Sequence, residues 1–180
     1  MNEFLKKTLV SILTVIIVLG ICWGILLACV SFGMKVFGVE AFGTELPSIT
    51  EPCGLSTEEF EAVLKGDLKN YAKEFLQAEA DYEINAVFLA SIAAAESAWG
   101  EKQFRPNNIF GFMTRKEFGS VEHNIDFVAW WLREHYLNEW GCYYRGGTIK
   151  AVGEIWCPDN GEWVDLVTSI YAQMSTEARR

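Results

Sequence analysis

Glu96 is the residue of this chain best placed for acid–base chemistry. It lies within INAVFLASIAAAESAWGEKQFRPNNIFGFM, residues Ile84 to Met113, as the one acidic residue of an otherwise apolar stretch that ends at Gly100. Phe88, Ile92, Ala95 and Trp99 recur at helical spacing, and Glu96 follows Ile92 by four residues on the same stripe. A carboxyl group on a core-facing side is costly unless it is paired, protonated or turned into a cleft. Apolar surroundings favour the neutral acid, which suits a group that must donate a proton near neutral pH. A structural role, with Glu96 bonded to backbone or to an arginine, fits the spacing equally well. Asn85 supplies an N-cap for the helix and Gly100 a residue just past its end.

Three features of this stretch occur in order: Ile84-Asn85, then Glu96-Ser97-Ala98-Trp99-Gly100, then Asn107-Asn108-Ile109-Phe110-Gly111. The set resembles the active-site helix and turn of the glucosaminidase-type peptidoglycan hydrolases, members of the lysozyme-like superfamily. The resemblance extends from about Leu55 to Met174. It implies a mainly α, compact lysozyme-like domain with a reduced β-lobe, acting on β-1,4 glycosidic bonds of peptidoglycan glycan strands. It also implies Glu96 as the general acid.

Such cleavage needs an acid to protonate the leaving oxygen and a means of stabilising the oxocarbenium-like centre. Family members carry a longer hairpin with an acidic residue after the Asn-Phe-Gly turn. Here about six residues separate Met113 from Ser120, leaving Glu117 as the best-placed second carboxylate, with Glu122 behind it. Both fit solvated surface charges as well, and water or the substrate N-acetyl group would then complete the chemistry. The expected substrate-binding set is Ser97, Asn108, Phe110, Gly111, Tyr144 and Trp156, with Tyr143 as a further stacking candidate. Ser97 also suits a backbone bond in the last turn, and the Asn-Asn-Ile-Phe-Gly segment also suits a purely structural loop. Trp156 stands where the family often has a cleft tyrosine, so it lacks the phenolic hydroxyl. Trp99, Trp131 and Trp163 fit the core.

The elements that position these residues read as helices. Ser56-Thr57-Glu58-Glu59 is a capping box, with Leu55 and Phe60 as its hydrophobic staple. Leu68, Tyr71, Ala72, Phe75 and Leu76 mark a second helix, and Ile125, Val128, Ala129, Leu132 and Tyr136 a later one. Thr148 to Ile155 forms a short helix, and Trp163, Val164, Val167, Ile170, Tyr171 and Met174 mark the last. Strand signals are limited to at most a small hairpin between Phe112 and Phe118.

The first 34 residues differ from the rest. Lys6 and Lys7 precede Thr8–Met34, a run without charge that is long enough to span a bilayer as one transmembrane helix. Leu26-Leu27-Ala28-Cys29 also resembles a lipoprotein processing site. The expected organisation is an anchor over 1–34, a linker over 35–53 and a catalytic domain over 54–180. The lysines would stay cytoplasmic, which gives a bacterial membrane protein with its C-terminal domain outside.

Past residue 34 there are 13 Lys plus Arg against 23 Asp plus Glu, a net charge of −10 with no basic cluster. That excludes a phosphate-binding footprint and argues against nucleic acid. With His123 and His135 as the chain's two histidines, and no ligand-spaced motif, neither a metal nor another cofactor is expected. Of the cysteines outside the apolar run, Cys142 and Cys157 are the first choice for a disulfide, with Cys53 left over, and three free thiols are the other reading. The leading functional reading is an endo-β-N-acetylglucosaminidase. A lytic transglycosylase or muramidase on the same glycan, and a non-catalytic wall-binding or assembly protein docking in an envelope machine, stay open.

Overall fold

A computed structural model describes residues 46–180 apart from 104, 114, 115, 159, 160 and 180. The anchor expected over 1–34 lies outside the described residues, among which no helix is long and apolar enough to cross a membrane.

The capping box forms with both of its bonds. Ser56 Oγ accepts from the Glu59 N–H at 3.2 Å, and the Glu59 carboxylate accepts from the Ser56 N–H at 2.8 Å. It opens α1, Thr57–Val63, which buries Phe60 and Val63. A 3-10 turn, Gly66–Tyr71, leads into α2, Ala72–Tyr82. The helix carrying Glu96 is α3, Ala86–Ser97. Next come α4, Val121–Leu132, with a π-turn Arg133–Leu137 as its continuation, then α5, Ile149–Trp156, and α6, Gly161–Glu177.

The domain is built around α3. Nearly all of its residues are buried, as expected of a helix that is apolar on every side. Its alanines allow close approach, and α6 and α2 pack against it while α4 covers α2 and α5 covers α6. Asn85 caps it by accepting from the Phe88 N–H at 3.1 Å.

The start of α3 also receives the segment before α1. Asn85 donates through Nδ2 to Glu51 O and through its backbone to Ile49 O. Glu79 accepts from both the Cys53 and the Ala86 N–H groups at 2.8 Å. Ile49 is buried, and the Tyr171 hydroxyl donates to Pro47 O at 2.9 Å. The last residues of the stretch read as linker, from Leu46, are therefore packed onto the domain. An apolar side chain and satisfied backbone groups hold them there.

The far end of α3 departs from the expected glycine stop. The helix ends before Gly100, at Ala98, which adopts a left-handed conformation with φ +49°, and Trp99 follows at φ +63°. Each such alanine or tryptophan costs roughly 1–2 kcal/mol. The Ser97 hydroxyl offsets this by donating to Ala93 O at 2.6 Å and accepting from the Gly100 N–H at 2.9 Å. Trp99 O accepts from the Leu68 N–H at 3.2 Å, which docks the turn on the 3-10 segment.

Two other expectations change. Among the described residues there is no strand: Phe112 and Met113 are turn and Lys116 to Phe118 are loop, so none of them forms the small hairpin expected there. Cys53, Cys142 and Cys157 are all free thiols. Instead of a bridge to Cys157, Cys142 places its Sγ 3.6 Å from His135 Nδ1, within the loop that follows the π-turn.

The crossing of α5 and α6 depends on Gly153. A Cβ there would lie 2.5 Å from Val164 Cγ2 and 3.1 Å from the Trp163 ring. Gly153→Ala is expected to destabilise the domain by roughly 1–3 kcal/mol through overpacking. A lowered midpoint in chemical denaturation, with unchanged helical content, would be the observed result.

Candidate active site

Glu96 sits half-buried at the end of α3. Its Oε1 accepts two hydrogen bonds, from Trp156 Nε1 at 3.0 Å and from Trp163 Nε1 at 2.7 Å. Trp156 ends α5 and Trp163 lies in the first turn of α6, so the loop between these helices brings both indoles to one oxygen. The two rings stack with centroids 6.4 Å apart. Of the states open to a core-facing carboxyl, this one is both paired and turned to a cleft, and its partners are neutral donors.

The other carboxyl oxygen faces Gly111, where an added Cβ would lie 3.2 Å from Glu96 Oε2. Gly111 also has φ +58°, a conformation that glycine adopts without penalty. The turn is held from behind. Asn108 is buried; its Oδ1 accepts from the Phe112 N–H at 3.0 Å, and its Nδ2 donates to Phe112 O at 2.8 Å and to Lys116 O at 3.2 Å. Asn107 donates to Phe118 O, and the Ile109 N–H is bound by Asn124 Oδ1 of α4. An amide side chain can donate and accept at once, which a turn without strand partners requires.

Together these elements enclose a cleft of about 270 Å³. Glu96, Phe110, Gly111 and Phe112 line one part, and Met113, Tyr136, Trp156 and Cys157 complete it. Tyr136 comes from the π-turn, where Gly141 approaches so closely that a Cβ would lie 2.5 Å from His135 O. Burial, with Tyr143 and Cys142 beside it, pushes the Tyr136 phenol up to about 12, so it stays neutral throughout the physiological range. A larger hollow of about 500 Å³ between α5 and α6 includes Lys150, Glu154 and Asp165 but not Glu96. The chemistry-bearing carboxyl places the candidate site in the smaller cleft.

Of the residues nominated from the sequence, Glu96, Phe110, Gly111 and Trp156 meet in this cleft. Ser97 is buried and bonded to backbone on both sides. Asn108 supports the turn from within rather than facing the cleft. Glu117 is exposed and Tyr144 is half-exposed, and neither lines the cleft. Trp156 replaces the missing phenolic donor with an indole N–H. Tyr136, Phe112 and Trp163 were not nominated from the sequence. Trp163 is buried as its core assignment expects, yet a buried indole N–H needs an acceptor, and Glu96 was the unpaired acid in view. Among the described residues, no cluster of His, Cys, Asp and Glu could hold a metal ion.

No protein-family model matches the chain. It is 30% identical over 143 residues to proteins named "Putative endo-beta-N-acetylglucosaminidase" from two Streptococcus pneumoniae strains, TIGR4 of serotype 4 and R6. That match covers 71% of this chain and 21% or 20% of those proteins, so the chain spans about a fifth of the length of the curated relatives it matches. In fold, it is similar to S. aureus Autolysin E in complex with a muropeptide, at TM-score 0.56 and 21% identity, over 73% of this chain and 72% of that one. A catalytic mutant of the same autolysin in complex with the disaccharide NAG-NAM gives TM-score 0.55 and 21% identity, over 75% and 72%. The resemblance to the glucosaminidase-type peptidoglycan hydrolases thus holds in sequence with the streptococcal proteins and in fold with the autolysin.

Asn108→Ala would remove three bonds from the turn and leave buried backbone groups unpaired. A loss of roughly 2–3 kcal/mol is expected. It would be measured by urea unfolding, together with faster proteolysis between Arg105 and Ser120.

Proposed function

We propose that this chain is a peptidoglycan hydrolase, an endo-β-N-acetylglucosaminidase with Glu96 as its general acid. The observation that carries the reading is a single carboxyl, held by two indoles, at the edge of an aromatic-lined cleft beside a glycine turn. The streptococcal relatives and the autolysin fold support the glycan as substrate. Sugars suit such a cleft because aromatic faces take their C–H faces, while the neutral Tyr136 hydroxyl offers a hydrogen bond.

Among the described residues lining the cleft, Glu96 is the one carboxylate. A route in which the substrate's own N-acetyl oxygen attacks the anomeric carbon needs no second carboxylate. In that route Glu96 gives its proton to the leaving glycosidic oxygen as the C–O bond breaks. The resulting carboxylate then takes a proton from the water that opens the cyclic intermediate. Glu117 tests this choice: Glu117→Gln retains activity in the substrate-assisted route and loses it if that residue is the second carboxylate.

The uncharged run Thr8–Met34 after Lys6 and Lys7 supports tethering to a bacterial membrane by a single pass, with the domain on the outer side. In this arrangement the tether supplies localisation and the cleft supplies specificity for an anionic polymer that an acidic domain would otherwise repel.

The test is digestion of purified peptidoglycan by the full chain, wild type against Glu96→Gln, with fragments identified by mass spectrometry. New reducing-end GlcNAc is expected, with the rate falling about 10²–10⁴-fold in the variant. Anhydro-MurNAc or reducing MurNAc ends would instead assign a transglycosylase or muramidase. No fragments, with retained sedimentation on the wall, would assign a binding protein. Gly111→Ala, which crowds Oε2 and strains the turn, is expected to lower the rate at least about tenfold in the same assay.

A further inference from the structure

The two carboxyl oxygens of Glu96 have different surroundings, and that difference assigns them different tasks. Oε1 accepts both indole N–H groups, at 3.0 and 2.7 Å. Oε2 lies over the open face of Gly111. A neutral carboxyl has one oxygen that carries hydrogen and one that only accepts. An oxygen already receiving two N–H donors is the accepting one, so the transferable hydrogen sits on Oε2.

We propose that Trp156 and Trp163 are positioning residues that fix the Glu96 side chain and direct its acidic proton through Oε2 toward the Gly111 side of the cleft. This rests on the reading of Glu96 as a general acid. The geometry behind it is independent of that reading: two indoles from separate helices converge on one oxygen, and the backbone opposite the second oxygen has no side chain. Trp156 packs within 5.6 Å of Phe112 and 6.0 Å of Tyr136, ring centre to ring centre, so its own position is set by the cleft wall. Trp163 is buried between α5 and α6, with its ring against Gly153. A carboxyl on three rotatable bonds would otherwise sample several orientations, and small misplacements of a catalytic group cost rate steeply.

Consequently the glycosidic oxygen must approach from the Gly111–Met113 edge. When the proton has left, both indoles remain as donors to the carboxylate. Among the described residues, the remaining titratable groups lining the cleft are Tyr136 and Cys157, neither of which is bonded to Glu96.

The experiment compares the full chain with Trp156→Phe, Trp163→Phe and Glu96→Gln on peptidoglycan, recording kcat and KM. Phenylalanine keeps an apolar ring and removes the N–H. Because Trp163 is buried, Trp156→Phe at the half-exposed position guards against a folding failure, and thermal melting monitors both. The expected result is a fall in kcat of about tenfold per tryptophan with KM nearly constant. Unchanged kcat in both folded variants, with Glu96→Gln inactive, would overturn the positioning role while leaving Glu96 as the acid. A Glu96→Gln variant as active as wild type, or a wild type without activity, would mark the failure of the functional reading itself and would end the positioning role with it.

Discussion

The hydrogen bonds from two indoles to Glu96 Oε1 are the interaction on which the arrangement of this domain turns. A half-buried carboxyl within an apolar helix must be satisfied by something, and among the described residues two neutral indole N–H donors do it. To deliver them, α5 must end and α6 must begin within reach of the end of α3. Gly153 makes that crossing possible because any side chain there would strike Val164 and Trp163.

Backbone geometry supplies the other half of the cleft. Soon after Glu96 the chain passes through left-handed residues at Ala98 and Trp99, and in the turn across the cleft Asn107 and Met113 adopt the same region. Strain of this kind persists only where surrounding contacts over-determine it. Ser97, the Leu68 N–H and the three Asn108 bonds provide those contacts. Side chains that a motif would suggest touch substrate are therefore spent on the backbone, while half of the residues lining the cleft are aromatic. The π-turn at Arg133–Leu137 follows the same logic, since Tyr136 lines the cleft from within it and Gly141 lets the next loop fold back on it. Single π-turns of this type recur at functional sites.

Much of this was legible in the chain itself. The capping box at Ser56, the N-cap at Asn85 and the apolar stripe around Glu96 are local features, governed by spacing and side-chain chemistry within a few residues. For the same reason the Asn107–Gly111 turn could be read, and four of the nominated residues meet in the cleft. The stop of α3 was misplaced by two residues because Gly100 is needed for close approach to Asp67 and Leu68, a contact between segments distant in sequence. The disulfide nomination failed similarly: spacing gives loop length but not where Cβ vectors point.

The sequence by itself determined a helical domain around one apolar helix, a single acid within it and a glycine turn after it, since each follows from periodicity and residue type. Only the tertiary structure decided what the acid is bonded to. Trp156 and Trp163 lie 60 and 67 residues beyond Glu96, and nothing local marks their N–H groups as its partners. It also decided that Ser97 and Asn108 serve the backbone, that Glu117 stays in solvent and that Tyr136 reaches the cleft. Hydrogen-bond partners depend on distance and direction in space, and a chain specifies those only once its core is packed.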